Sequence, residues 1–246
     1  MAKASHPGRT KTRLSPPLTL ERAADLNTVF LRDIADNVAA ASHRADVDCY
    51  MAYGPPGAAP FFEHHLGPDV RLLEIWLPNF GDCLFQTVQR LLAAGHESAI
   101  VLNSDSPTLP TSVLVAAAEA LAAPGDRMVL GPCDDGGYYL LGIKHPHRRL
   151  FDEVAWSTDR VFAQTLERAA EIGLVPDILP RWYDVDDAAA LERLRRELAQ
   201  GVGFAAHHTA ALLRQAADDQ TPAAAAGAAV ALGFTPGVAP PGARPG

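Results

Sequence analysis

Between residues 19 and 38, Ala23, Leu26, Phe30, Ile34 and Val38 recur at spacings of three and four, the repeat of a helix with one buried face. Thr19, just ahead of that run, can cap its first turn. VDCYMAY (47–53) is short and rich in β-formers, GPPGAAP breaks it, and VRLLEIW (70–76) resumes strand character after one turn of helix at FFEHHL. CLFQTVQRLLAAG reads as a helix ending at Gly95. SAIVLNS (98–104) is almost wholly apolar, as a parallel strand buried on both faces would be, and is expected at the centre of a sheet. Pro110 opens a helix that runs through Ala122.

MVLGPC (128–133) and YYLLGIK (138–144) are two further strands, separated by Asp134-Asp135-Gly136-Gly137, a hairpin turn or a functional loop. Ser157 is placed to cap a helix reaching about Ile172, LVPDILP (174–180) is a short strand, and YDVDDAAALERLRREL enters a helix near Asp187. Another helix is expected over about 205–216. Strands and helices alternate almost throughout, which predicts an α/β fold: a mostly parallel sheet with helices on both faces and ligands at the carboxyl ends of its strands. Residues 1–220 form the expected domain. From 221 to 246 the chain is low in complexity and rich in Ala, Gly and Pro, and is expected to be a mobile tail.

At 246 residues the chain can bury roughly 70% of its unfolded surface without staples. Its three cysteines, Cys49, Cys83 and Cys133, are odd in number and far apart, which suits a reducing compartment. No apolar region follows the basic N-terminus and no window approaches the ~18 apolar residues of a membrane span, so a cytoplasmic protein is expected. A formal charge of −8 argues against general nucleic-acid binding. The histidines give no zinc signal: His64-His65 and His207-His208 are adjacent pairs with no third ligand at a recognisable spacing.

Four features then stand out at loops and strand ends. In HPGRTKTRL, Gly8 permits close backbone approach and Lys11 and Arg13 supply charge, with Lys3 and Arg9 nearby, so the loop could grip a diphosphate or be a solvated basic end. Asn103-Ser104-Asp105-Ser106-Pro107 ends the most apolar strand, where Asp105 could hold a hard cation against phosphate oxygens or merely cap a helix. In GPCDDGGYYLLG, Gly136 and Gly137 would let backbone approach a polyhydroxylated ligand, with Asp134 or Asp135 accepting from its hydroxyls. A β-turn explains the same residues. In Tyr183-Asp184-Val185-Asp186-Asp187, alternation puts Asp184 and Asp186 on one side of an extended segment, where one could complete a metal's coordination, while Asp187 suits a helix N-terminus. Trp156 and Ser157 could contact substrate or serve as a packing staple.

Taken in order, PGRTKTRL, NSDSPTLP, GPCDDGGYYLLG, WSTDRVFAQTL and YDVDDAAALERL resemble the bacterial radical-SAM/selenodomain-associated transferase family, the arsenosugar-biosynthesis-type glycosyltransferases of the GT-A or nucleotide-diphospho-sugar transferase superfamily. The resemblance covers about residues 1–215. It implies the Rossmann-like GT-A fold, the basic loop and the Asn103-Ser104 turn on the nucleotide's phosphates, Asp105 as metal ligand, an aspartate of the YDVDD segment, Asp186, at the same metal, and the Asp134–Tyr138 loop beside the bound group. There are two departures. Asn103 stands where glycosyltransferases carry the first acid of D-x-D, as in the nucleotidyltransferase branch. Met1 falls almost where the family's first strand should end, so a truncated first strand is expected.

The expected function is metal-dependent transfer from an activated nucleotide: glycosyl transfer from a nucleotide sugar to a small acceptor, with Mg²⁺ or Mn²⁺ neutralising the leaving diphosphate. Lys11 and Arg13 would stabilise charge developing on its oxygens, and Asp135 would bind hydroxyls or act as base. The alternatives are nucleotidyl transfer from an NTP to a phosphorylated small molecule, releasing pyrophosphate, and a non-catalytic nucleotide-binding protein derived from the enzyme fold.

Overall fold

The apolar stripe of the first helix decides where everything else packs. The structure, a computed structural model, describes residues 2–220, and the expected tail at 221–246 lies outside the described residues. Helix α1 (Leu20–Ser42) starts where Thr19 accepts a hydrogen bond from the Arg22 amide (3.2 Å). It buries Ala23, Leu26, Phe30 and Ile34, as the spacing requires. The rest follows as β1 (Tyr50–Tyr53), α2 (Ala59–His65), β2 (Arg71–Glu74), α3 (Phe80–Ala93), β3 (Ala99–Leu102), α4 (Thr111–Ala122), β4 (Met128–Pro132), β5 (Tyr138–Ile143), α5 (Val161–Glu171), β6 (Pro176–Ile178), α6 (Ala188–Gln200) and α7 (His207–Gln220).

The α/β class is as expected, with a mixed sheet in place of a mostly parallel one. β1 and β2 pair in parallel, whereas the other strands lie in the order β3-β5-β4-β6, with β5 antiparallel to both neighbours and β6 parallel to β4. The physical reason is the connection between β4 and β5. A parallel return needs a crossover of a dozen or more residues, and the link through Asp134, Asp135, Gly136 and Gly137 is far too short. Helices cover both faces. Met128, Leu130, Leu141 and Ile143 face α3 and α5 through Leu84, Val88, Leu91 and Ala169, while Val129 and Leu140 face α4 through Val113, Leu114 and Leu121.

β3 is not central. It forms one edge of the four-stranded sheet, and among the described residues no strand pairs with its other side. The Ala2 amide donates to the Ala52 carbonyl (2.8 Å) and its carbonyl accepts from the Gly54 amide (3.2 Å), so Ala2 continues the sheet from β1 and not from β3. Between β1 and β3 lies a cavity of about 610 Å³, walled by those strands and by α1, α3 and α4. No described helix is long and apolar enough to cross a membrane.

One local expectation fails, and one is resolved between its two alternatives in favour of the hairpin turn. Ser157 has φ 64° and caps nothing. α5 begins four residues later, after Arg160, whose amide donates to the Thr158 hydroxyl (3.3 Å). The Asp134–Gly137 segment is a turn closed by the Cys133 amide donating to the Gly137 carbonyl (3.0 Å), with the Asp135 carboxylate accepting from the Gly137 amide (2.8 Å).

Candidate functional site

The basic loop is held in shape by its own residues. The amides of Arg9 and Thr10 both donate to the His6 carbonyl, and Gly8 supplies φ 72° at the bend. Lys11 follows with φ 49°, an unusual backbone for a residue with a Cβ, and leads into a 3-10 turn at Thr12–Leu14. Leu14 is fully buried in the cluster that contains Phe30, which pins the loop over α1.

The Tyr183–Asp187 segment arrives from the opposite end of the sequence. It runs on from β6 alongside β4, with the Leu179 amide on the Leu130 carbonyl (3.0 Å) and the Trp182 amide on the Pro132 carbonyl (3.1 Å). It then meets the loop that ends β3: the Val185 amide donates to the Asp105 carbonyl (2.9 Å) and the Ser106 hydroxyl donates to the Tyr183 carbonyl (2.7 Å). Glu197 of α6 braces the segment, accepting from the Tyr183 hydroxyl (2.6 Å), the Thr108 hydroxyl (3.1 Å) and Arg193 (3.0 Å).

These two approaches bring Lys11 between two carboxylates. Its Nζ lies 2.6 Å from Asp105 Oδ1 and 3.1 Å from Asp186 Oδ1, and donates to the Val185 carbonyl at 2.9 Å. The Phe30 ring lies 5.2 Å from the ammonium, and the Lys11 side chain is only 4% exposed. Burial works to lower the pKa of this ammonium, but Asp105 and then Asp186 outweigh it and the net shift is upward. Around this group opens a cleft of about 290 Å³ lined by Lys3, Arg9, Lys11 and Arg13 on the cationic side, Asp105 and Asp186 on the anionic side, and Thr10, Thr12, Asn27 and Ser104. Lys3, Arg9 and Arg13 are exposed and make no ion pair among the described residues. Gly8 shapes the loop without lining the cleft.

Asn103 does not add a charge here. Its amide donates to the Ser106 hydroxyl (3.1 Å), and its buried Oδ1 is left without a partner.

Next to the cleft is a second acidic group. The Cys133 thiol donates to Asp184 Oδ1 (3.6 Å), and Cys133, Asp135 and Asp184 offer ligand atoms within 4.8 Å of one another. Burial, followed by the charges of Asp135 and Asp186, raises the pKa of Asp184 to about 6 from the ordinary 3.8. Burial and the same kind of neighbours push the Cys133 thiol upward as well. Thus Asp184 turns to Cys133 while Asp186 turns to Lys11, and Val185 between them is fully buried.

The remaining candidates are occupied with structure. Asp134 pairs with Arg193 (2.8 Å), and Asp135 caps its own turn. A Cβ on Gly136, at φ 87°, would lie 2.2 Å from the Asp159 carbonyl oxygen, so this glycine lets the turn dock on the loop before α5. Trp156 packs edge-on to Phe80 and Tyr138 (5.4 and 6.4 Å) and lies against Gly81. The Tyr138 hydroxyl is buried without a partner, and Ser157 is exposed.

Sequence reading missed Asn27, Arg193, Glu197 and Cys133. Asn27 carried a signal, since a polar residue on the apolar face of α1 needs a partner. It donates to the Ser5 hydroxyl (2.9 Å). A third cluster, Asp33, Asp36 and His208, contains one of the histidines set aside above. It ties helices together, with Asp33 accepting from the His208 and Thr209 amides (3.0 and 2.8 Å).

This sheet, with a cleft of acids and bases formed by the basic loop, the loop after β3 and the segment after β6, has the Rossmann-like fold of nucleotide-diphospho-sugar transferases. A solved structure from Desulfovibrio desulfuricans G20, described as a candidate nucleotide-diphospho-sugar transferase, shares that fold with a TM-score of 0.77 and 27% identity over 88% of this chain and 93% of that one. The family described as an uncharacterized protein conserved in bacteria (DUF2064) is matched by residues 37–158, a stretch that contains Asp105 and Asp135 but neither Lys11 nor Asp186. A CMP:2-keto-3-deoxy-manno-octonic acid synthetase complexed with CTP matches more distantly, with a TM-score of 0.44 and 12% identity over 69% of this chain and 88% of that one. No curated protein matches the chain.

Proposed function

We propose that this protein is a metal-dependent transferase that binds the diphosphate of an activated nucleotide in the 290 Å³ cleft and transfers a glycosyl group to a small acceptor. The observation that carries this reading is the convergence, in one cleft, of four cationic side chains with two carboxylates from distant parts of the chain. The fold shared with the Desulfovibrio structure supports it.

The site suits a divalent cation. Asp105 and Asp186 already bracket one positive charge, the Lys11 ammonium, and their oxygens are the hard donors that Mg²⁺ or Mn²⁺ prefers. Bound there, such an ion would act as a Lewis acid toward phosphate oxygens. Lys3, Arg9 and Arg13 would contact the diphosphate and stabilise charge building up on its leaving oxygens. We assign the acceptor to the side of the cleft where Cys133, Asp135 and Asp184 lie together. With a pKa of about 6, Asp184 is suited to take a proton from an attacking hydroxyl near neutral pH.

One observation favours nucleotidyl transfer as the second reading. The loop after β3 contributes a single carboxylate to the cleft, because Asn103 uses its amide on Ser106. The two reactions differ in what they release, a nucleoside diphosphate or pyrophosphate.

Thermal-shift screening of nucleotides and nucleotide sugars with and without Mn²⁺ tests the proposal, since a ligand at ~100 times its dissociation constant adds ~2.7 kcal/mol of stability. Product analysis with the best ligand then separates the two reactions. If no nucleotide shifts the melting temperature with either metal, the proposal fails.

A further inference from the structure

Lys11 cannot bind a phosphate as it stands. An ammonium has three protons, and here each faces an acceptor: Asp105 Oδ1 at 2.6 Å, Asp186 Oδ1 at 3.1 Å and the Val185 carbonyl at 2.9 Å. The side chain is 4% exposed and its remaining side faces the Phe30 ring. Yet the two carboxylates it consumes are the only acids that the described residues bring to the cleft, so any divalent cation that uses them competes with Lys11 for the same oxygens.

We propose that Lys11 is the resident cation of this site: it holds Asp105 and Asp186 together in the free protein, and releases them to a divalent metal only when a diphosphate arrives to receive the ammonium. The inference deepens the reading of the cleft as a metal and diphosphate site and rests on it. Charge decides the order of events. With Lys11 in place the two carboxylates and the ammonium sum to −1, and a divalent ion added alone would make that group +1, beside Lys3, Arg9 and Arg13. A buried cation pushed off its carboxylates by the metal then needs a new anion, and the described residues of the cleft offer none. A diphosphate supplies it, so metal and diphosphate each strengthen the other's binding through Lys11.

The loop suits this role. Its backbone is fixed by the His6–Thr10 turn, the φ 49° of Lys11 and the buried Leu14, so release of the carboxylates requires only side-chain rotation. The three exposed cations of the cleft hold an incoming diphosphate within reach of the released ammonium. Weak binding of metal alone also follows, which keeps the two acids from being occupied unproductively.

The test counts free Mn²⁺ by electron paramagnetic resonance as the intact chain is titrated with Mn²⁺ alone. Lys11→Met keeps the length and the contact with Phe30 but removes the competitor, and it should tighten Mn²⁺ binding by roughly 5–150-fold, the usual range of coupling between sites. Lys11→Gln serves should the methionine variant not fold, as judged by its circular dichroism. Lys11→Arg retains a charge and should bind Mn²⁺ as weakly as the unaltered chain. Arg13→Met removes one charge from the same cleft without freeing the carboxylates, and should change Mn²⁺ affinity less than about threefold, since an exposed charge is largely screened. Equal affinity in Lys11→Met and the unaltered chain, or equal tightening in Arg13→Met, would overturn the inference. Isothermal titration with inorganic pyrophosphate separates this failure from that of the function. If Mn²⁺ behaves as expected but pyrophosphate binds no version of the chain, Lys11 still holds the two carboxylates against metal, but its release by a diphosphate falls together with the diphosphate reading. If pyrophosphate binds and Lys11→Met leaves Mn²⁺ affinity unchanged, the diphosphate reading stands and the resident-cation role falls.

Discussion

Asp184 and Asp186, separated by one residue, take different roles, Asp186 sharing Lys11 with Asp105 while Asp184 faces Cys133, and all three are open to test. Asp105→Asn keeps the shape of the side chain and the backbone bond to Val185 but removes the charge facing Lys11. Metal-dependent nucleotide binding should be lost and turnover should fall by at least roughly two orders of magnitude, in line with removal of a principal electrostatic contact. Asp186→Asn should act in the same direction, and full turnover of either variant at saturating metal would take that residue out of the site. Asp184 differs because it is held beside Cys133 with its pKa raised to about 6, first by burial and then by Asp135 and Asp186. Between the unfolded value near 3.8 and about 6, the native state holds more protons than the unfolded one. Stability therefore falls as pH rises through that window and stays reduced above it. Asp184→Asn should relieve that cost, worth about 1 kcal/mol once solvent screening of a half-buried group is allowed for, or about 2–4 °C in Tm at pH 7.5. The gain should vanish near pH 4. Melting curves at the two pH values, without divalent metal, check this, and a pH-independent difference would mean that the carboxylate is not strained.

At the scale of elements, α7 depends on a cap supplied by another helix. Asp33, fully buried in α1, accepts from the first amides of α7 at 3.0 and 2.8 Å. Asp33→Ala leaves those donors buried and unpaired, and should cost about 2 kcal/mol and lower Tm by about 4–8 °C, with faster hydrogen exchange across α7. Unchanged exchange in α7 would show that its packing on α1 suffices. This contact also shows what a sequence conceals. α1, α4 and α6 were legible because their signals are local: a stripe of apolar residues, Thr19 capping the Arg22 amide, Pro110 before the first turn, and Asp187 capping the Ala190 amide (2.8 Å). The direction of β5 was not legible in YYLLGIK itself, which is apolar on both faces whichever way it runs; it lay in the shortness of the Asp134–Gly137 link, where a hairpin turn was one of two alternatives. The site divides in the same way. Acids and bases at strand ends could be picked out as candidates, but the pairing of Lys11 with Asp186 joins residues 175 positions apart, and the burial that perturbs Asp184 exists only once β4 and the segment after β6 are side by side.

For the molecule as a whole, the gap between β1 and β3 divides the strands into two sheets. Two sheet edges and three helices enclose about 610 Å³, and among the described residues the bridge at Ala2 pairs the Tyr53 end of β1. Among the described residues, the edges of β1 and β3 that line this space are each able to pair with an added strand. Its walls fix the chemistry of a suitable filler. Ile34, Val38 and Leu114 approach from one face and Leu84 and Leu91 from the other, so the middle of the filler should be apolar on both faces, while Asp46, Asp48, His96 and Glu97 line the end where β1 and β3 begin, and Ala2 sets its direction parallel to β1. A chain with five or six apolar residues joined ahead of Ala2 should therefore be more stable than this one. Each buried side chain contributes ~1.5–3 kcal/mol against ~1–2 kcal/mol for ordering each residue's backbone, leaving about 2–5 kcal/mol in all, or a rise of roughly 5–15 °C in Tm. Because the added strand would run directly into Lys3 and the basic loop, nucleotide binding should tighten along with stability. An extension with the same length but lysines at alternate positions is the control, since it would have to bury charge on one face. If both extensions leave Tm and nucleotide affinity unchanged, the gap is not a strand site, and the sheet is stable in two parts bridged by the helices that flank them.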